Sequence, residues 1–147
     1  MRRAMLLAAA VVLWLPGRAD AQANAINCGG LDRGYQAWIN SGATAAVAEW
    51  ISESPIQEAD GLIPVKGQFE ASNGKIRGYE MIRDVRISRS LRRIYVMAIH
   101  DIAPTFAYFD CYRPKDRWVV MNIQLHANGE EILPAEALWA GSDRAGT

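Results

Sequence analysis

The chain has 147 residues, half of them hydrophobic, with 16 basic residues matched by 16 acidic ones, two cysteines and two histidines. That length supports one domain with one core. The balanced charge argues against nucleic acid as the main partner, because binding phosphates needs an excess of unopposed cations.

The chain opens with an export signal. Arg2 and Arg3 give a basic start, Ala4 to Leu15 form an apolar run too short to span a bilayer, and Ala19-Asp20-Ala21 offers a small-x-small cleavage pattern. Pro16, Gly17 and Arg18 end the run early, so a permanent anchor is the weaker reading, and Cys28 lies too far beyond the run to be a lipidated first residue. The expected product is a periplasmic or secreted chain starting near Gln22, with no membrane span in its mature part. Residues 22–30 read as an irregular lead-in containing Gly29-Gly30, which has no preceding strand and so is no dinucleotide fingerprint. Because an exported chain folds where thiols oxidise, Cys28 and Cys111 are expected to pair.

From Leu31 the apolar spacing is helical. Leu31, Tyr35, Trp38 and Ile39 share a face, Asp32 suits the helix start, and Ser41-Gly42 interrupts the run. A second helix carries Ala43, Ala46, Val47, Trp50 and Ile51 on one face and stops before Pro55. Gly61, Pro64 and Gly67 punctuate the next segment, where an irregular helix is expected from about Pro64 to Ser72, ended by Asn73-Gly74.

After Gly74 the period falls to two and β-branched and aromatic residues increase. Four strands are expected, over about Lys75 to Ser88, Leu91 to Asp101, Thr105 to Tyr112 and Arg117 to His126. Connections this short allow only antiparallel neighbours, hence a meander. In the last strand Val119, Met121, Ile123 and Leu125 read as the core face. Asn128, with Glu131 three residues on, reads as the cap of a short helix, and residues 135–147 as a tail in which Leu138 and Trp139 could dock. The expected fold is α+β, with N-terminal helices packed on a curved four-stranded antiparallel sheet.

The helical hairpin with its Trp-bearing second helix, Lys75-x-x-Gly78-Tyr79-Glu80, Tyr112-Arg113-Pro114 before a turn and Trp118-Val119-Val120 in the last strand resemble the nuclear transport factor two-like superfamily, with its cystatin-like cone. The resemblance covers about residues 31–134 and points to small exported bacterial members without assigned activity. Gly42, Ala46, Trp50 and Pro55 also resemble part of a tetratricopeptide helix pair. That unit does not recur, and a strand-rich second half is foreign to a helical solenoid.

The resemblance implies that an enzyme on this cone would use an Asp or a His–Asp pair inside an apolar pocket. The weak catalytic candidates are His100, Asp101 and Asp110, with His126 expected near His100 at one sheet edge. If the face bearing Phe106, Tyr108 and Tyr112 lines the cone, Asp110 is desolvated and its pKa raised; on the outer face it is an ordinary solvated aspartate. No nucleophile elbow, phosphate loop or zinc-ligand spacing is present, so neither a cofactor nor a metal is expected. Between Lys75 and Arg93, seven basic residues face only Glu80 and Asp84. Arg83, Arg86, Arg89, Arg92 and Arg93 could hold an anionic ligand, lipid headgroup or acidic protein, or could simply blunt an exposed edge. Trp38, Trp50 and Tyr108 could line a cavity for a small apolar ligand. The expected function is an exported, non-catalytic binding domain for one of these partners. The alternatives are an acid–base enzyme of isomerase or dehydratase type and a dimerising interaction protein.

Overall fold

A computed structural model of the protein describes residues 28–56 and 65–139. The expected signal, most of the lead-in, the Gly61 and Pro64 punctuation, the side chains of Leu138 and Trp139, and the end of the tail lie outside the described residues.

Three helices precede the sheet: α1 (Leu31–Ser41), α2 (Ala43–Ile51) and α3 (Val65–Asn73). The strands β1 (Ile76–Arg86), β2 (Leu91–His100), β3 (Thr105–Tyr112) and β4 (Val119–His126) pair in chain order, each antiparallel to the next. The chain is therefore an α+β domain with its helices N-terminal to a four-stranded meander.

One residue, Gly42, separates α1 from α2. Its positive φ of 90° turns the chain, while its N–H caps α1 by donating to the Trp38 carbonyl. The helices close tightly because α1 lacks side chains where α2 crosses it. A Cβ on Gly34 would meet the Trp50 ring at 2.1 Å, and one on Gly30 would meet the Glu49 carbonyl at 2.0 Å. Trp50 Nε1 donates to the Leu31 carbonyl at 3.0 Å, so the buried indole leaves no polar atom unpaired. Trp38 Nε1 reaches Glu70 of α3 at 2.9 Å.

The sheet presents Ile94, Val96 and Ala98 of β2 and Ala107, Phe109 and Cys111 of β3 to these helices, all of them buried. Trp50 meets Phe109 edge-on at 5.3 Å, and Tyr35 stacks on Tyr79 of β1 at 4.6 Å. Two further ties fix the helices to the sheet: the Ser54 hydroxyl donates to the Val120 carbonyl, and Cys28 is bonded to Cys111. The expected disulfide is thus present, with both cysteines fully buried.

The core face of β4 differs from simple alternation. Asp110 pairs with Asn122 but Cys111 pairs with Val120, so Met121 is an extra residue and the side-chain order flips there. Val120 enters the core in place of Met121, which is 45% exposed. Beyond β4, the helix expected after Asn128 is a single 3-10 turn (Gly129–Glu131) in which the Asn128 side chain accepts from the Glu130 N–H. The expected tail begins with a five-residue helix, α4 (Ala135–Trp139).

Two outcomes follow for stability. Replacing Cys28 and Cys111 by serine lowers the unfolding free energy by about 4.5 kcal/mol, from the loop-closure entropy restored to the unfolded chain, as read from urea titrations. Gly34→Ala forces the Trp50 ring to move and costs about 1–3 kcal/mol, whereas Gly78→Ala, whose Cβ meets nothing within 4 Å, introduces no such clash.

Candidate functional site

The acid–base candidates do not converge. His100 lies on the helix-facing side of β2, buried, with Nδ1 donating to the Gly74 carbonyl at 2.9 Å and Nε2 left to accept from the Thr105 hydroxyl at 3.1 Å. Its ring also meets Trp38 edge-on at 5.5 Å. His126 pairs with Phe106 on the opposite face of the sheet, exposed, where its Nδ1 accepts from the Asn128 N–H. Asp101 is an exposed turn residue gripped by Arg77, and that hydrogen-bonded pairing holds its carboxyl below the usual range.

Asp110 sits on the outer face beside Tyr108 rather than on the face covered by the helices. Burial alone would raise its pKa, but hydrogen bonds from Arg93 at 2.6 and 2.9 Å and from Asn122 at 3.1 Å outweigh that and hold the carboxyl below its ordinary value. The Arg93 guanidinium in turn stacks over Tyr108 at 4.0 Å and is held more firmly charged by Asp110. This is a structural ion pair, set opposite to what a general base near neutrality requires. Among the described residues, no group of three or more His, Cys, Asp or Glu is placed to hold a metal ion.

Trp38 and Trp50 are each 1% exposed and meet each other edge-on at 5.8 Å. Together with Tyr35 and Phe109 they fill the space between helices and sheet with their own rings. An open recess of about 550 Å³ lies beside the end of α1, lined by Trp38, Gly42, Glu70 and Lys75 among others, but its carboxylate is already taken by Trp38.

The arginines divide by strand register. Arg93 and Arg83 stand on the outer face, opposite Asp110 and Tyr95, whereas Arg86 and Arg92 stand on the helix-facing side, directly opposite each other. Like charges facing across a strand pair oppose pairing. Asp84 relieves part of this by a two-pronged bond to Arg92. Among the described residues, no helix roofs this end. Asp84, Arg86, Arg92 and Trp118 line an open pocket of about 300 Å³, and the Arg92 and Arg113 guanidiniums lie 5.4 and 5.2 Å from the Trp118 ring centre.

The meander brings the β1–β2 turn beside the β3–β4 turn. Arg113 N–H donates to the Ser90 carbonyl, and the Arg113 guanidinium to the Arg89 carbonyl at 3.1 Å. Arg83, Arg86, Arg89, Arg113 and Lys115 form no ion pair among the described residues, whereas Arg117 and Arg33 both reach Glu53. Arg113, Lys115 and Trp118 were not among the expected site residues. The antiparallel order of four strands would have placed them there, since the first and third turns of a meander share one end.

Compared with protein-family models, curated proteins and solved structures, the chain finds no match.

The Arg93–Asp110 pair has a pH signature. Because the native carboxyl titrates lower than the unfolded one, its contribution is complete at neutral pH and lost as the medium is acidified through the native value. Asp110→Asn flattens that part of the stability curve between neutral pH and about pH 3, measured by urea unfolding at a series of pH values.

Proposed function

We propose that the protein is an exported, non-catalytic binding domain that holds an anionic partner at the arginine-rich end of its sheet. The observation that carries this reading is the gathering of Arg86, Arg89, Arg113 and Lys115 on two adjacent turns without carboxylate partners among the described residues. The Arg113 guanidinium, bonded to the Arg89 carbonyl and lying against Trp118, has its direction fixed in advance, so less side-chain freedom is lost when an oxyanion binds.

Export is supported by the Arg2 to Ala21 leader and by the Cys28–Cys111 bond, which is consistent with an extracellular or periplasmic setting. Among the described residues no helix is long and apolar enough to cross a membrane. Kinship with nuclear transport factor two-like domains belongs to the same proposal, supported by the order of helical hairpin, third helix and four-stranded meander. The acid–base reading draws no support from His100, Asp101 or Asp110, each engaged in the structural bonds described above.

The test is salt-dependent binding of poly-L-glutamate, followed by titration calorimetry. Arg86→Glu with Arg89→Glu weakens binding by about tenfold or more, while Asp110→Asn leaves it unchanged. Binding indifferent to the double reversal contradicts the proposal.

A further inference from the structure

We propose that the anionic partner is a membrane surface: the two turns at the cationic end dock onto the headgroups of an anionic phospholipid leaflet, with Ile87 entering the interface. The inference rests on the reading of that end as the binding surface, and it names the occupant.

The first argument is the spread of the charges. Arg83 lies on the outer side of the sheet and Arg86 on the helix-facing side, Arg89 is in the first turn, and Arg113 and Lys115 are in the third. Four strands spaced about 4.8 Å apart make this end roughly 14 Å wide. No single small anion spans cations on both turns, whereas a plane of phosphodiesters presents several anions across that width.

The second argument is the apolar residue among them. Ile87, 54% exposed, sits between Arg86 and Ser88 where β1 runs into the β1–β2 turn, its N–H donating to the Leu91 carbonyl. Pressed against a leaflet, it leaves water beside the phosphates that its neighbours bind, which is how basic and apolar groups combine in surface-bound proteins. Trp118, half-buried under two guanidiniums, supplies an amphipathic ring of the kind that settles at headgroup depth.

The opposite end of the sheet sets the orientation. Its β2–β3 turn also carries an exposed isoleucine, Ile102 at 74%, but the arginine beside it, Arg77, is neutralised by Asp101. An exposed isoleucine is thus present at both ends, and among the described residues only Ile87 is flanked by arginines, Arg86 and Arg89, that form no ion pair.

The experiment is cosedimentation of the processed chain, purified after export, with vesicles of phosphatidylcholine alone or mixed with phosphatidylglycerol. Binding is expected to the mixed vesicles only, weakening with added salt. Arg89→Glu, a swing of two charges, lowers partitioning roughly thirtyfold, and Ile87→Ser lowers it roughly tenfold. Ile102→Ser leaves it unchanged. All three positions are exposed, and circular dichroism verifies that each variant is folded. Absence of vesicle binding while poly-L-glutamate still binds overturns the membrane occupant, assigns an acidic macromolecule in solution and leaves the cationic-end reading standing. Absence of binding to both overturns both readings. An Ile102→Ser loss equal to that of Ile87→Ser overturns the proposed orientation.

Discussion

The front half of the molecule is organised by one indole lying where a glycine has no side chain. Trp50 fills the space above Gly34, donates its only polar hydrogen to the Leu31 carbonyl, and turns its ring edge to Phe109 of the sheet. That contact sets the crossing of α1 and α2 and the height of both above β3. The Cys28–Cys111 bond and the Ser54–Val120 hydrogen bond then tie the two outer ends of the hairpin to neighbouring strands. With the hairpin held so close, the space below it is taken by Tyr35, Trp38, Trp50 and Phe109 packed ring against ring. A domain of this architecture has two ways to bind: a hollow under its helices or a surface beyond them. The aromatic packing favours the second.

The polar groups follow the same division. Where the helices cover the sheet, His100 between Gly74 and Thr105 and Tyr79 with Asp32 and Gln36 are in bonds that hold the fold. On the outer face, Arg93 and Asp110 neutralise each other. At the end formed by the first and third turns, Arg83, Arg86, Arg89, Arg113 and Lys115 have no ion pair among the described residues, whereas Asp84 is held by Arg92 and Glu53 by Arg117. The field of clustered guanidiniums extends about a Debye length, roughly 8–10 Å at ordinary salt, so a chain of balanced overall charge can still carry a locally cationic end among its described residues.

The helical and strand periods were legible because each element buries one face: Leu31, Tyr35 and Trp38 in α1, and Ala43, Ala46, Val47 and Trp50 in α2, fall inward as their spacing requires. The third strand matches its expected bounds, Thr105 to Tyr112, residue for residue. The disulfide was legible because the sequence has a single pair of cysteines, which leaves each one partner, behind a start that reads as an export signal. What periodicity misses is a change of phase. The extra residue at Met121 moves Val120 inward, and no local signal in Val119-Val120-Met121 marks it, since all three side chains suit a core. Pairwise fit was equally silent: nothing in Gly30 or Gly34 announces the Glu49 carbonyl or the Trp50 ring that needs them bare. The arginine run was visible as composition, but its division between two faces, and its union with Arg113, Lys115 and Trp118, are properties of register.

The central claim is that this protein meets its partner at the turn end of the sheet and not beneath its helices. The most direct measurement is residue-resolved NMR of the amide signals during titration with bicelles containing anionic phospholipid. The account predicts shifts and broadening confined to residues 86–92 and 113–118, with the amides of Trp38, Trp50 and Phe109 undisturbed. Perturbation centred on those three aromatic residues, with the two turns silent, would contradict it.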